Sequence, residues 1–251
     1  ERDSNLRCIQ RFIANYALNL NLAARMIFSL LPVKDGWVLS MDRANWKFGE
    51  FNINILTLGI TYKGIAFPLL FSLLDKRGNS NWEERKDIME RFFRLFGHDC
   101  TDCLVADREF IGKEWIGWLN DNRIRYYIRI RQDIWIVKPS TGERIRAWWL
   151  FNSLKVGQEK FYYKTVLHKG QYVYPAGSRI KRVPELQILI RFNRSEDGVA
   201  SYKKRWEIET AFRAIKSSGF NIEDTYPRDR ERIARLPAMV RIALVWTHLV
   251  V

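Results

Sequence analysis

The hydrophobic positions follow two periods, and the period switches along the chain. Over residues 1–31 it is helical: Leu18, Leu22, Met26 and Leu30 recur every four residues and Pro32 closes the run. That stripe predicts a helix packed on a core. Residues 37–42 read as a short apolar strand ending on Asp42. Residues 54–62 and 65–74 are two further strands, joined by Lys63-Gly64 as a hairpin. Residues 79–82 cap a helix running to Phe96, with Ile88, Met89, Phe92, Phe93 and Phe96 on its buried face. Residues 103–107 form a fourth strand, again ending on an acid, 111–122 a helix, and 124–130 a fifth strand. This order predicts an α/β sheet with helices packed on it.

From 132 to 194 the pattern changes. Short aromatic and β-branched runs at 134–137, 148–151, 160–164, 172–174 and 187–190 are punctuated by Gly142, Gly157, Gly170 and Gly177. They predict a basic, antiparallel β subdomain inserted after the fifth strand. Helical spacing returns over 201–216, read as one amphipathic helix, and over 235–251. Three regions follow: 1–131 with the N-terminal helices and first part of the core, 132–194 as the insertion, and 195–251 as the helical remainder. The chain opens on Glu1 without Met and stops inside a helical pattern, so flanking sequence is expected at both ends.

The polar face of residues 201–216 carries the first candidate chemistry. Tyr202, Arg205, Glu209 and Lys216 fall within roughly a 60° sector at about 100° per residue. Ile208, Ala211, Phe212 and Ile215 occupy the neighbouring sector and would bury it. A carboxylate there can hold a divalent metal, and the two cations can hold phosphate oxygens. The plainer alternative is a solvated charged face with Glu209 and Arg213 as an i,i+4 pair.

Charge sharpens the choice. Lys and Arg number 42 against 28 Asp and Glu, a net charge of +14, which favours a polyanionic partner, most simply nucleic acid. No apolar run reaches the roughly 18 residues of a membrane span, and the first residues do not read as a signal peptide. Three cysteines are too few for a disulfide framework and suit a reducing cytoplasm. The Cys100–Cys103 spacing has no second pair, and the three histidines form no zinc pattern, so those residues read as core and loop.

Asp42 and Asp107 both sit at expected strand ends, where ligand sites of open α/β sheets gather. If the helix brings Glu209 to the same edge, three carboxylates meet. They cannot all ionise cheaply without a cation. An all-oxygen set selects Mg²⁺ or Mn²⁺, and two ions about 4 Å apart can drive phosphodiester chemistry. Taken singly, either aspartate could equally be a cap or turn residue.

Tyr202-x2-Arg205-x3-Glu209-x6-Lys216 resembles the tyrosine–arginine–glutamate–lysine signature of a large group of bacterial insertion-sequence transposases, the insertion sequence four-like family. Met41-Asp42-Arg43-Ala44-Asn45-Trp46 and Ala106-Asp107-Arg108-Glu109-Phe110 resemble its two aspartate motifs, and residues 74–80 its intervening sequence. The resemblance spans 37–245. It implies a ribonuclease H-like mixed sheet with flanking helices, a β-rich insertion, and an Asp-Asp-Glu site of Asp42, Asp107 and Glu209 holding two Mg²⁺ ions, with Mn²⁺ able to substitute. It implies cut-and-paste strand transfer on double-stranded DNA, both element ends and target, by a homodimer in the synaptic complex, in a bacterial cytoplasm at the nucleoid. Tyr202, Arg205 and Lys216 would then touch end DNA. Trp148 and Trp149 are candidates for the base-stacking aromatic of the insertion. On a strand they would face opposite ways, one exposed and one buried. The rival readings are a structure-specific nuclease on the same scaffold, or a DNA-binding remnant without chemistry.

Overall fold

Lys63 and Gly64 both take positive φ, 49° and 90°, the backbone a two-residue hairpin needs to match the twist of its strands. They join β2 (Phe51–Tyr62) to β3 (Ile65–Leu74), as expected, and β1 (Trp37–Phe48) pairs antiparallel with β2. This computed structural model describes residues 4, 7–8, 11–12, 15–16, 18–32, 35–48, 51–181, 183, 185–194, 196–216 and 230–250.

β4 (Thr101–Ala106) runs parallel to β1, and β5 (Tyr126–Ile130) parallel to β4. Parallel neighbours need crossovers. These are α2 (Trp82–Phe96), between β3 and β4, and α3 (Lys113–Asp121), between β4 and β5; a shorter helix, α1 (Leu20–Leu30), precedes β1. Asn81 and Glu84 form a reciprocal capping box at the start of α2, which satisfies two otherwise unpaired backbone donors.

Residues 132–194 are β-rich and antiparallel, and their strands extend the same sheet. They comprise β6 (Trp135–Val137), β7 (Arg144–Arg146), β8 (Glu159–Phe161), β9 (Val166–His168), β10 (Gln171–Ser178) and β11 (Gln187–Arg191). The sheet order is β3-β2-β1-β4-β5-β11-β10-β9-β6-β7, with β8 pairing β10. The molecule is thus a mixed α/β fold with one large sheet and flanking helices.

Three expectations need correction. The run 148–151 is not a strand: residues Ala147–Phe151 form a 3₁₀ turn, and the buried members Ala147, Leu150 and Phe151 have helical spacing. The helix over 1–31 is not continuous: the described residues 4, 7–8, 11–12 and 15 are helical, residues 16, 18 and 19 are not, and Asn19 caps α1 afresh; much of 1–17 lies outside the described residues. Its core face is Ala23, Ala24 and Ile27, whereas Leu22 and Met26 are exposed. The small alanines let α1 sit against β3 and α6 (Arg230–Val250). Third, residues 201–216 are not one helix but α4 (Gly198–Lys203) and α5 (Trp206–Lys216). Between them the amides of Lys204, Arg205, Glu207 and Ile208 bond three residues back, a 3₁₀ passage that turns the chain.

Strand alternation sorts the core. Leu39, Met41, Leu104, Ala106 and Ile128 belong to the main cluster. Val38, Cys103, Val105, Tyr127 and Leu189 form a second cluster with Val199 and Tyr202 of α4. α4 lies close on these strands: a Cβ at Gly198 would come within 2.8 Å of the Tyr127 ring. Among the described residues no helix is long and apolar enough to cross a membrane.

Candidate active site

Even-numbered side chains of β1 share one face. At Val38 that face is packed by Val199 and Tyr202 of α4. At Trp46 it is packed by Phe212 of α5, the rings near-perpendicular with centroids 6.4 Å apart. Asp42 lies between, facing the junction of the two helices, where Arg205 reaches it. Asp42 is therefore not at a strand end, since β1 continues to Phe48. What ends there is the parallel pairing: Met41 is opposite Ala106, the last residue of β4. Asp42, still within β1, and Asp107, just past the end of β4, follow that last pair.

The helix residues close the site. Tyr202 donates its hydroxyl to Asp107 Oδ1 at 3.4 Å. Arg205 lies 2.7 Å from Glu209 Oε1 through Nη2 and 3.7 Å from Asp42 Oδ2 through Nη1. One guanidinium thus spans the first and third acids and puts Glu209 on the same side of the sheet as Asp42. The 3₁₀ passage nearly eclipses residues three apart, and the Arg205 guanidinium sits 5.8 Å from the Tyr202 ring and 4.9 Å from the Trp206 ring. Arg205 is 4% exposed, so the group assigned to DNA phosphates is turned inward onto the acids. Lys216 is held as well, donating to the Asn45 carbonyl at 2.7 Å. Residues of the 202–209 stretch thus reach both aspartates, which lie about a hundred residues or more before them in sequence.

Electrostatics follow from burial. Burial pushes the Asp42 carboxyl up to about 6, and Glu109 and Glu209 push the same way, while the Arg43 amide and Arg205 pull it back. The Tyr202 hydroxyl is raised chiefly by burial. For Arg205 burial works downward, but Tyr202, Asp107 and Glu209 together leave its pKa raised, so it is firmly cationic.

A surrounding network holds this arrangement, and sequence reading gave its members no role. Arg43 bonds Glu109 in a fork at 3.3 and 3.2 Å and also reaches Asn45, Asn54 and Asn79. Buried Arg85 donates to Ser80 and to the Glu109 carbonyl, and burial lowers its pKa to about 10. The segment carrying Asp107 is thereby tied to β1, β2 and the start of α2. The signal was present as a basic residue directly after each aspartate and an acid two residues after the second. A cleft of about 350 Å³, lined by Asn45, Asn52, Asn54, Lys76 and Arg77, opens beside this network.

Trp148 and Trp149 are 40% and 50% exposed. The expectation that one is buried fails, because a 3₁₀ turn does not alternate faces. Lys138 Nζ stands 4.7 Å over the Trp149 ring. Cys100 and Cys103 are buried and unbridged, and burial pushes the Cys103 thiol up to about 12.

Asp42, Asp107 and Glu209 offer only oxygens, the set that suits Mg²⁺ or Mn²⁺. The crowding that raises Asp42 is what a cation would relieve. As placed, no group of three or more His, Cys, Asp or Glu side chains among the described residues closes to metal-binding distance. The charge between Asp42 and Glu209 is that of Arg205.

Residues 84–246, more than half of the chain, match the family model described as Transposase DDE domain. Asp107 and Glu209 fall within that span and Asp42 precedes it. No curated protein sequence matches. Among solved structures the chain is similar to a cryo-EM structure of the piggyBac transposase synaptic complex with hairpin DNA, at a TM-score of 0.54 and 12% identity. The match covers 86% of this chain and 48% of that one, so the chain spans about half the other's length. At this identity the likeness is one of fold.

Proposed function

Because the chain belongs to the transposase DDE-domain family, we propose that it is a transposase catalytic core that cuts and joins phosphodiester bonds at insertion-sequence ends, in the subgroup with the Tyr-Arg-Glu-Lys signature. The observation that supports this reading is that Arg205 spans Asp42 and Glu209 while Tyr202, three residues before it, donates to Asp107. The β3-β2-β1-β4-β5 order, antiparallel up to β1 and parallel beyond it, supports a ribonuclease H-like core. Asp42, Asp107 and Glu209 would hold two Mg²⁺ ions, with Mn²⁺ able to substitute; ions held there would supply activation of a water or hydroxyl and charge stabilisation at the leaving oxygen. The chain's own groups do the positioning. Tyr202 fixes the Asp107 carboxylate, and the Arg43–Glu109 pair holds the segment after β4 against β1. Lys216 pins the end of α5 at Asn45 and would meet a phosphate of the bound DNA.

The +14 charge and the DNA bound by the piggyBac transposase support double-stranded DNA as the partner. The reading entails a homodimer on paired ends, in a bacterial cytoplasm at the nucleoid. Incubation of the protein with DNA carrying the element's ends, a target plasmid and Mg²⁺ tests it. Strand-transfer products are expected. Asp42→Ala, Asp107→Ala and Glu209→Ala should each lose them while keeping a native circular dichroism spectrum. Cleavage without joining would mark a structure-specific nuclease, and DNA binding without either a non-catalytic remnant.

A further inference from the structure

The two contacts of Arg205 differ in quality. The 2.7 Å contact to Glu209 is a charge-assisted hydrogen bond, while 3.7 Å to Asp42 lies beyond hydrogen-bond range. Asp42 Oδ1 accepts the Arg43 amide at 2.7 Å, and Oδ2 has this long charge contact with Arg205. Two acids on one side of the sheet repel each other, and a buried charge needs a partner. In the described residues the guanidinium supplies it, and at 4% exposure it is out of reach of any phosphate.

We infer that Arg205 is a built-in counter-ion: it neutralises Asp42 and Glu209 in the metal-free protein and must be displaced from them when a divalent cation binds. The inference rests on the metal-site reading above. Arg205 and the ion compete for the same two carboxylates. The arginine stabilises the metal-free state alone, so it lowers metal affinity by the ratio in which it favours that state. Its position suits a group that moves. It sits at the 3₁₀ junction between α4 and α5, against the Trp206 ring, and Trp206 is 56% exposed. A guanidinium leaving the acids on that side enters solvent where a DNA phosphate can take it. Metal and DNA would then favour each other through one side chain, since coupling between two ligands is reciprocal.

The test is Mn²⁺ binding to the intact chain without DNA, by isothermal titration calorimetry, in wild type and Arg205→Gln. Glutamine keeps much of the volume and none of the charge. Tighter binding in Arg205→Gln is expected, on the order of tenfold, the scale of one lost charge contact. Without metal the variant should melt lower than wild type, and Mn²⁺ should raise its melting temperature more. If the neutral variant does not fold, Arg205→Lys takes its place. It keeps the charge but lacks the two-pronged fork, and Mn²⁺ binding several-fold tighter than wild type is expected. Equal or weaker Mn²⁺ binding in a folded variant overturns the counter-ion role and leaves the metal reading standing. No Mn²⁺ binding in wild type or variant overturns the metal reading and this inference with it.

Discussion

At the scale of the residue, burial works against the charged form of Asp42. Its pKa rises from 3.8 unfolded to about 6 folded, so folding favours the protonated form. The stability this lends is fully present below pH 3.8 and is lost as pH rises through about 6. Asp42→Asn should therefore stabilise the metal-free protein at pH 7.5, by about 2–3 kcal/mol at one pKa unit per 1.36 kcal/mol, with the gain vanishing towards pH 4. Urea unfolding of both proteins across that range checks it; a pH-independent difference would sever the stability effect from titration. The same substitution should eliminate Mg²⁺-dependent cleavage, which separates what the carboxylate costs the fold from what it does in the reaction. Trp149 is the opposite case. Half-exposed, it contributes little to packing, and Trp149→Ala should leave stability within about 0.5 kcal/mol. If its ring stacks an unpaired base, the substitution should cost about 1–3 kcal/mol of binding to hairpin DNA and much less to duplex. Trp148→Ala, measured beside it, tells which of the two faces the DNA.

At the scale of the element, what was legible was local. The Lys63-Gly64 turn, the helix cap within residues 79–82 and the apolar face of α2 are each encoded within a few residues, and the sequence yields them. The full length of β1 was also written there: Ala44, Trp46 and Phe48 alternate with Arg43, Asn45 and Lys47, but an acid at 42 masks the continuation when charges are read as strand ends. The break between α4 and α5 was not legible. Lys204 and Arg205 are good helix formers, and the turn arises because α4 docks on β4, β5, β10 and β11 while α5 docks on β1, β2 and β3. Likewise the i,i+4 pairing of Arg205 with Glu209 was readable, but not its reach to Asp42, which exists only once the sheet has formed. The seating of α4 gives an element-scale prediction. In Gly198→Ala the new Cβ would lie 2.8 Å from the Tyr127 ring and 3.0 Å from Arg191 Cδ. It should cost about 1–3 kcal/mol through overpacking and lift Tyr202 from Asp107. Denaturant unfolding gives the first effect, and a fall in cleavage beyond the unfolded fraction the second.

At the scale of the whole molecule, a surplus of 14 positive charges should make the proposed association with DNA steeply salt-dependent. Lys216 is one contributor whose position is known. If it meets a phosphate, Lys216→Ala should weaken binding equally for matched and scrambled ends, because such contacts position without reading sequence. It should also reduce the slope of log affinity against log salt by about one unit. An unchanged slope in a salt titration would confine Lys216 to its bond with Asn45. The sheet that gathers these groups has a further consequence, which concerns synthesis. The acids lie at positions 42, 107 and 209, and β1 and β4 have left the ribosome long before α5 is made. A nascent chain can pair β1 with β4 and bring two aspartates side by side. It lacks the third acid, and the arginine that spans the first and third, until all eleven of the described strands have been translated. If the three acids form the proposed site, its chemistry is withheld from unfinished chains, and a message cut short before α5 should yield a product without cleavage activity.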